Sequence, residues 1–565
     1  MPNRFSPLRR QVLAGLGAAG ASSALLPRSV SAAPAAVPAR ESGARFQASI
    51  DRGEPIRLDG RDRLAAPLRV PPGATVRIIA GPGARLEGVS QTGTTLFTGP
   101  AYSVRIEGEP VFANCRTVFH MGAGASAGTF DWDLAGARFV DFGYAAILLD
   151  RQGGPARIGR LDLSRTYFSA RASGGNRFPF DLLQSRDGPP IGLLVADGAV
   201  FENGGAESLR LNSGRNGGVR LTRSRWSEYV NPGRGRDPDA HFVFVRSGTN
   251  VISDCRFSGL RPRDRSVSMN DSEGLRGGGD SLLVERCVFE DAGGAEAALA
   301  LKGCGRATIA DTTVRFTPRH VAAIAASAGA RKDCSGILAP VDALTLRNVR
   351  LSGGSGAALD FQGNAQNVTV RGDITLEDWS TNRARGGRTY YSSGSAIRLA
   401  GRGHDVDLSV ACIGPGLPRF VLSHEGGGSR RIALSGQLAA STSPGSSILF
   451  LNYGAAIDTL QIDAEMSGTD GKLFASSKQP TVEEFVLRGR IDRGDPRGNA
   501  LALGLTDRVT RAADIDVVLS GVGRATVPLP AGVRIREAGG MQQARGNLIA
   551  GADARRMTTR FAVSR

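Results

Sequence analysis

One short unit returns from about residue 46 almost to the C-terminus, and it limits the folds open to this chain more than any other feature. A short alternating strand is followed by a bend, a second short strand and a Gly/Asn/Asp turn. Leu282-Leu283-Val284-Glu285-Arg286-Cys287-Val288-Phe289-Glu290 followed by Ala298-Leu299-Ala300-Leu301-Lys302-Gly303 is one copy. Leu344-Thr345-Leu346-Arg347-Asn348-Val349-Arg350-Leu351 followed by Ala357-Ala358-Leu359-Asp360-Phe361 is another. Further copies begin near Val219, Asn250, Ala307, Val368, Val406, Arg431, Leu460 and Val486, spaced by about 22 to 38 residues. A period in this range indicates a solenoid or a propeller. Apolar residues alternate with period two, which excludes helical repeats. Propeller blades would need four strands each and an aromatic signature that is missing. The remaining solution is an all-β, right-handed parallel β-helix in which each repeat is one coil of two or three strands. Trp226, Phe257 and Phe289 recur at intervals of 31 and 32, preceded two residues earlier by Ser224, Cys255 and Cys287. Equivalent inward positions on successive coils would stack these residues into ladders, with both cysteines as core filler.

A solenoid also absorbs the length, since 565 residues would otherwise suggest three or four domains. Collagen is excluded because the 76 glycines do not fall every third residue. A hydrophobic fraction of 41 % supplies enough apolar surface to exclude disorder.

The N-terminus carries Ser6-Pro7-Leu8-Arg9-Arg10-Gln11-Val12-Leu13, a Gly/Ala/Leu stretch to Leu26, and Ser29-Val30-Ser31-Ala32-Ala33. A charged start, a short apolar segment and a small-residue end describe an export signal rather than a membrane anchor. The paired arginines and weakly hydrophobic middle resemble a twin-arginine signal. The expected organisation is a signal over 1–33, a linker over 34–45, the β-helix over 46–538 and a loose basic tail over 539–565. The mature protein is expected in the periplasm or outside the cell, as a monomer with no transmembrane anchor.

Removing residues 1–33 takes four arginines and lowers the formal charge from +17 to +13. Outside the cytoplasm the common polyanions are uronate-bearing or sulfated glycans and lipid headgroups. Only four of the 70 basic residues are lysines, a uniform arginine excess that argues against a designed nucleic-acid surface. The six cysteines show no metal-ligand spacing. Cys304 and Cys334 could pair in an oxidising compartment, or remain buried free thiols.

The coil pattern resembles the pectin-lyase-like superfamily of parallel β-helix proteins over roughly residues 46 to 538. Ile56-Arg57-Leu58-Asp59-Gly60 through Val76-Arg77-Ile78-Ile79-Ala80-Gly81 resembles the opening coil of those proteins. A narrower resemblance to alginate and chondroitin lyases lies in Val245-Arg246-Ser247 leading to Asp254-Cys255-Arg256-Phe257, and in Glu207-Ser208-Leu209-Arg210-Leu211. It implies that Arg246 occupies the place of a catalytic lysine. The next coil should then present Arg-His, but Asn270-Asp271 stands there.

Aligning the strands that follow the aromatic ladder puts Asn212, Arg246, Asn270 and Lys302 at strand ends of four successive coils. Glu207, Arg210, Asp239, His241, Asp271, Glu273, Glu296, Arg319 and His320 lie nearby. β-Elimination on a uronate polymer needs a cation for the sugar carboxylate, a base for the C5 proton and an acid for the leaving oxygen. Arg246, Lys302 and His241 (or Tyr229) are the expected catalytic groups, with Arg210, Asn212, Asn270, Arg319 and His320 binding an acidic polysaccharide. Asp237/Asp239 and Asp271/Glu273 offer paired carboxylates for a glycoside hydrolase. A non-catalytic polysaccharide-binding scaffold is the third reading. No cofactor is expected, although Glu207, Asp239 and Glu296 could offer oxygen ligands to calcium.

Overall fold

The computed structural model is 62 % strand and 5 % helix, a parallel β-solenoid of about 13 turns. It describes residues 39–563 apart from 123, 125–126, 151–153, 171–178, 204–207, 214, 228–229, 232–240, 245–247, 260, 263–272, 277–278, 293–296, 302–303, 327–332, 362–364, 382–393, 469–470, 493–499, 539–540, 545 and 551–555. For 230–231, 241–244, 261–262, 273–276, 279, 326, 536–538 and 541–544 it describes the backbone alone.

Each coil contributes strands to three parallel faces. The first face stacks, among others, Gly218–Thr222, Thr249–Ser253 and Gly279–Glu285. The second stacks Arg225–Ser227, Arg256–Ser258, Val288–Glu290 and Thr313–Arg315. The third stacks Leu209–Leu211, His241–Phe244, Glu273–Arg276 and Ala297–Ala300, and later Leu359–Phe361, Ser395–Ala400, Phe420–Glu425 and Ser447–Asn452. From Ala343–Ser352 onward the first two faces are carried by single long strands that bend.

The corner between the first and second faces requires a left-handed residue, and Arg223, Asp254, Arg286, Asp311 and Asn348 all occupy it with φ between 48° and 55°. Asn and Asp tolerate that region better than other non-glycine residues. The conformation is stabilised because each backbone N–H reaches the next coil: Arg223 donates to Ser253 O, Asp254 to Glu285 O and Arg286 to Ala310 O.

The aromatic ladder forms as the spacing predicts. Trp226, Phe257 and Phe289 are in register and stack with centroids 4.6 Å apart. It extends through Phe201 to Phe168 and Phe139, which the spacing argument did not include. Cys255 and Cys287 are buried in it as free thiols, and Cys304 and Cys334 are likewise unpaired and buried.

Both ends depart from expectation. Arg40–Glu41 already pairs with Asp62–Arg63, and helix α1 (Gly43–Asp51) buries Phe46 and Ile50. A helix laid here covers the apolar core that an open solenoid end would expose. Asp62, 1 % exposed, holds the junction by accepting from Ser42 Oγ (2.5 Å), Arg40 (3.1 Å) and Arg45 (3.0 Å). At the other end, the segment read as a loose tail contains Arg556–Val563, antiparallel to Val509–Ser520. Its arginines meet carboxylates: Arg556 binds Asp516 at 2.8–3.0 Å and Arg560 lies 3.4 Å from Asp514, while Met557 and Phe561 enter the core. Net charge alone could not reveal that alternation.

Candidate functional site

The chain leaves the second face after Arg315 to form helix α2 (Pro318–Ala326) before returning to the third face. Its start is written locally. Pro318 stands at the first helical position, where a missing N–H costs nothing. Thr317 Oγ1 accepts from the His320 N–H at 3.3 Å, a side-chain N-cap. Thr317 is itself fixed to the preceding coil, donating through N and Oγ1 to Asp291 at 2.7 Å. Inside, Ile324 is buried, and the His320 ring stacks on Phe316 with centroids 5.8 Å apart.

Between α2 and the corner of the second and third faces lies a half-open cleft of about 950 Å³. That volume lies within the range of small-ligand sites. Val321, Ala322, Ala325 and Pro318 line the helix side, and Thr313, Arg315, Arg350, Ser352 and Glu377 line the coil side. Arg315, Ser352 and Glu377 hold one register position on three consecutive coils. Strand stacking thus brings together residues far apart in sequence. Arg350 Nε donates to Glu377 Oε2 at 2.9 Å, which ties that pair up. Arg315 has no carboxylate partner among the described residues. Gly353 and Gly354 line the cleft with bare backbone. Gly353 has φ +70°, and a Cβ on Gly354 would lie 2.3 Å from the Trp379 ring. Asp378, left-handed at φ 49°, donates its N–H to Ile413 O and accepts from Gly416 N–H at 3.3 Å, which turns the chain at the rim. One wall is therefore apolar and the other offers a guanidinium, hydroxyls and carboxylates. A pyranose ring, with C–H faces and hydroxyl edges, presents the complementary pattern.

The residues expected from sequence fall in several places. Arg246, Lys302 and Asn270 lie outside the described residues, as do Glu207, Tyr229, Asp237, Asp239, Asp271 and Glu296. His241 is placed by its backbone, paired with Glu273 on the next coil. Arg210 is half-buried on the third face, and Asn212 follows the end of its strand. Arg319 and His320 both sit in the first turn of α2; Arg319 is exposed and His320 is 6 % exposed. The alignment of strand ends needs one correction. Third-face register runs Arg210, Phe244, Arg276, Ala300, and Asn270 precedes the strand Glu273–Arg276 rather than ending it. Coil lengths vary between these strands, so counting residues from the ladder loses the register.

Sequence reasoning missed Arg315, Arg350, Glu377 and Asp378. The signal for α2 was available in Thr317-Pro318 followed by Val321, Ile324 and Ala325 at helical spacing. Nothing in the sequence pairs Arg350 with Glu377.

No family model and no curated protein matches the sequence. Among solved structures, the chain is similar to the tailspike protein gp49 from Pseudomonas phage LKA1, at 10 % identity and a TM-score of 0.29 over 92 % of each chain. It is also similar to the tailspike gp61 from Pseudomonas phage phi297, at 11 % identity and a TM-score of 0.25 over 92 % of this chain and 88 % of that one.

Proposed function

We propose that this chain is an exported β-helix protein that binds an acidic polysaccharide, with the cleft beneath α2 as a principal glycan site. The observation that carries the reading is Arg315, a guanidinium without a carboxylate partner among the described residues, facing an apolar helix wall across a cleft of about 950 Å³. A uronate carboxyl would pair with that guanidinium, while Glu377 and Asp378 accept from sugar hydroxyls. Export rests on the N-terminal sequence, and no described helix is long and apolar enough to cross a membrane. The β-elimination chemistry assigned to Arg246, Lys302 and His241 rests on side chains outside the described residues and gains no geometric support.

Affinity electrophoresis of the full chain through gels containing alginate, pectate, hyaluronan or bacterial exopolysaccharides tests the reading. Arg315→Ala should weaken retention by about tenfold, the value of one charge-assisted contact. Ala322→Trp, which fills the cleft from the helix side, should do the same. Unchanged retention in both variants, or no retention of the wild type, refutes the proposal.

A further inference from the structure

The same coils that build the cleft carry a second group of charged residues on the third face. Asp360 lies in Leu359–Phe361, Arg398 in Ser395–Ala400 and Glu425 in Phe420–Glu425, strands of three consecutive coils. Leu359, Phe361, Ile397 and Leu399 belong to the core, so alternation turns Asp360 and Arg398 outward. Asp360 and Arg398 are directly opposed in register, and Glu425 lies one coil further along, opposite Ala400. Arg398 Nε is 3.3 Å from Asp360 Oδ1 and 3.8 Å from Glu425 Oε1. Arg398 lies against both, so the two carboxyl oxygens are at most about 7 Å apart, within the span covered by the carboxyl pairs of glycosidases.

Two further features set this group apart from an ordinary surface ion network. The first is its half-buried setting: the Asp360, Arg398 and Glu425 side chains are 10 %, 26 % and 18 % exposed. Burial raises the Glu425 carboxyl above the usual carboxylate range; the Arg398 charge opposes this and the Asp360 charge adds to it. The second is unmet hydrogen-bonding capacity on the same face. Ser423, in register with Arg398, is fully buried, and its Oγ has no partner among the described residues. Asn452, in register with Glu425, is 1 % exposed, and its Oδ1 is likewise without one. Buried polar atoms without partners are uncommon and call for an explanation, of which a ligand is one.

We infer that Asp360 and Glu425 form a two-carboxyl hydrolytic centre for the glycan held in the cleft, with Arg398 positioning both. Glu425 donates its proton to the departing glycosidic oxygen as the bond from the anomeric carbon to that oxygen breaks. A water oxygen bonds to the anomeric carbon, and Asp360 takes the proton that water gives up. The products are two shorter chains, one with a new reducing end, and no other reactant is consumed. Arg398 contacts both carboxyls and fixes the spacing of the pair. Ser355 at the cleft precedes Asp360 by five residues, which places the carboxyl pair within about 18 Å of the cleft lining.

This inference rests on the proposed polysaccharide binding, and the test separates the two. The full chain is incubated with alginate, pectate, hyaluronan and bacterial exopolysaccharides, and reducing ends, unsaturated-uronate absorbance and gel retention are recorded together. Reducing ends without absorbance are expected. Glu425→Gln and Asp360→Asn should each lower their release at least 100-fold while retention stays within twofold of wild type. Glu425→Asp, which keeps the charge and shortens the reach, should lose at least tenfold and remains informative if Glu425→Gln fails to fold by circular dichroism. Retention without reducing ends overturns the hydrolytic centre and leaves the binding proposal standing. Absorbance that accompanies the reducing ends, or full activity in the carboxyl variants, overturns it as well. Loss of retention in the wild type overturns both.

Discussion

Acidification should loosen this solenoid through His424. The residue is fully buried between Leu399 and Leu451 in an inward column, and its Nε2 lies 2.7 Å from Ser429 Oγ. Burial pushes the imidazole down to about 4, and the neighbouring His404 ring, 6.2 Å away, pushes the same way when charged. An unfolded imidazole takes its proton near 6.5. As pH falls from 6.5 towards 4 the unfolded chain binds a proton that the folded chain refuses, so stability drops across that window and levels off below it. The gap amounts to about 3 kcal/mol. Burial also lowers His404, against the pull of the Ala400 carbonyl, which adds in the same direction. His424→Leu matches its column neighbours and removes the titration, at a pH-independent cost of about 1–2 kcal/mol for stranding the Ser429 hydroxyl. Urea unfolding followed by circular dichroism between pH 4 and 7.5 should show the wild-type minus variant difference falling by about 3 kcal/mol on acidification. Glu425 titrates in both proteins and cancels from that difference. Parallel pH curves for the two would refute the argument.

Other residues make equally direct claims. Phe257→Ala opens a hole between two stacked rings and should cost about 4 kcal/mol in urea unfolding, against about 1–2 kcal/mol for Phe257→Leu; a loss below 1 kcal/mol for the alanine would contradict the ladder. Asp62→Ala releases Ser42, Arg40 and Arg45 from one carboxylate and should destabilise the N-terminal end by about 2 kcal/mol. Hydrogen exchange should accelerate over Gly43–Asp51 first, and uniform acceleration along the coils would count against a local clasp. All six thiols are buried, and burial raises Cys304 and Cys412 to about 11. An aromatic disulfide reagent at pH 7.5 should therefore label none until urea is added, and rapid labelling of any in the native chain would be inconsistent with this packing.

The ladder was readable because Trp226, Phe257 and Phe289 belong to coils of nearly equal length, where counting and register agree. Asn270 was misplaced because the segment before Glu273–Arg276 is longer, and a strand's partner is set by backbone pairing rather than by residue number. Helix α2 escaped notice because one nine-residue helix is a weak signal among dozens of strands, although its Thr-Pro start was present. The C-terminal arginines were read as a solvated tail because their partners, Asp514 and Asp516, lie some 40 residues earlier.

By itself the sequence determined the coil. Period-two alternation assigns each side chain to the core or to the outside, and its repetition every 22 to 38 residues leaves stacking as the way to bury those inward rows. Only the tertiary structure decided which outward residues meet. Arg315, Arg350 and Glu377 share one cleft, and Asp360, Arg398 and Glu425 share one ion network, because parallel strands stacked about 4.8 Å apart align residues that variable loops have separated by dozens of positions.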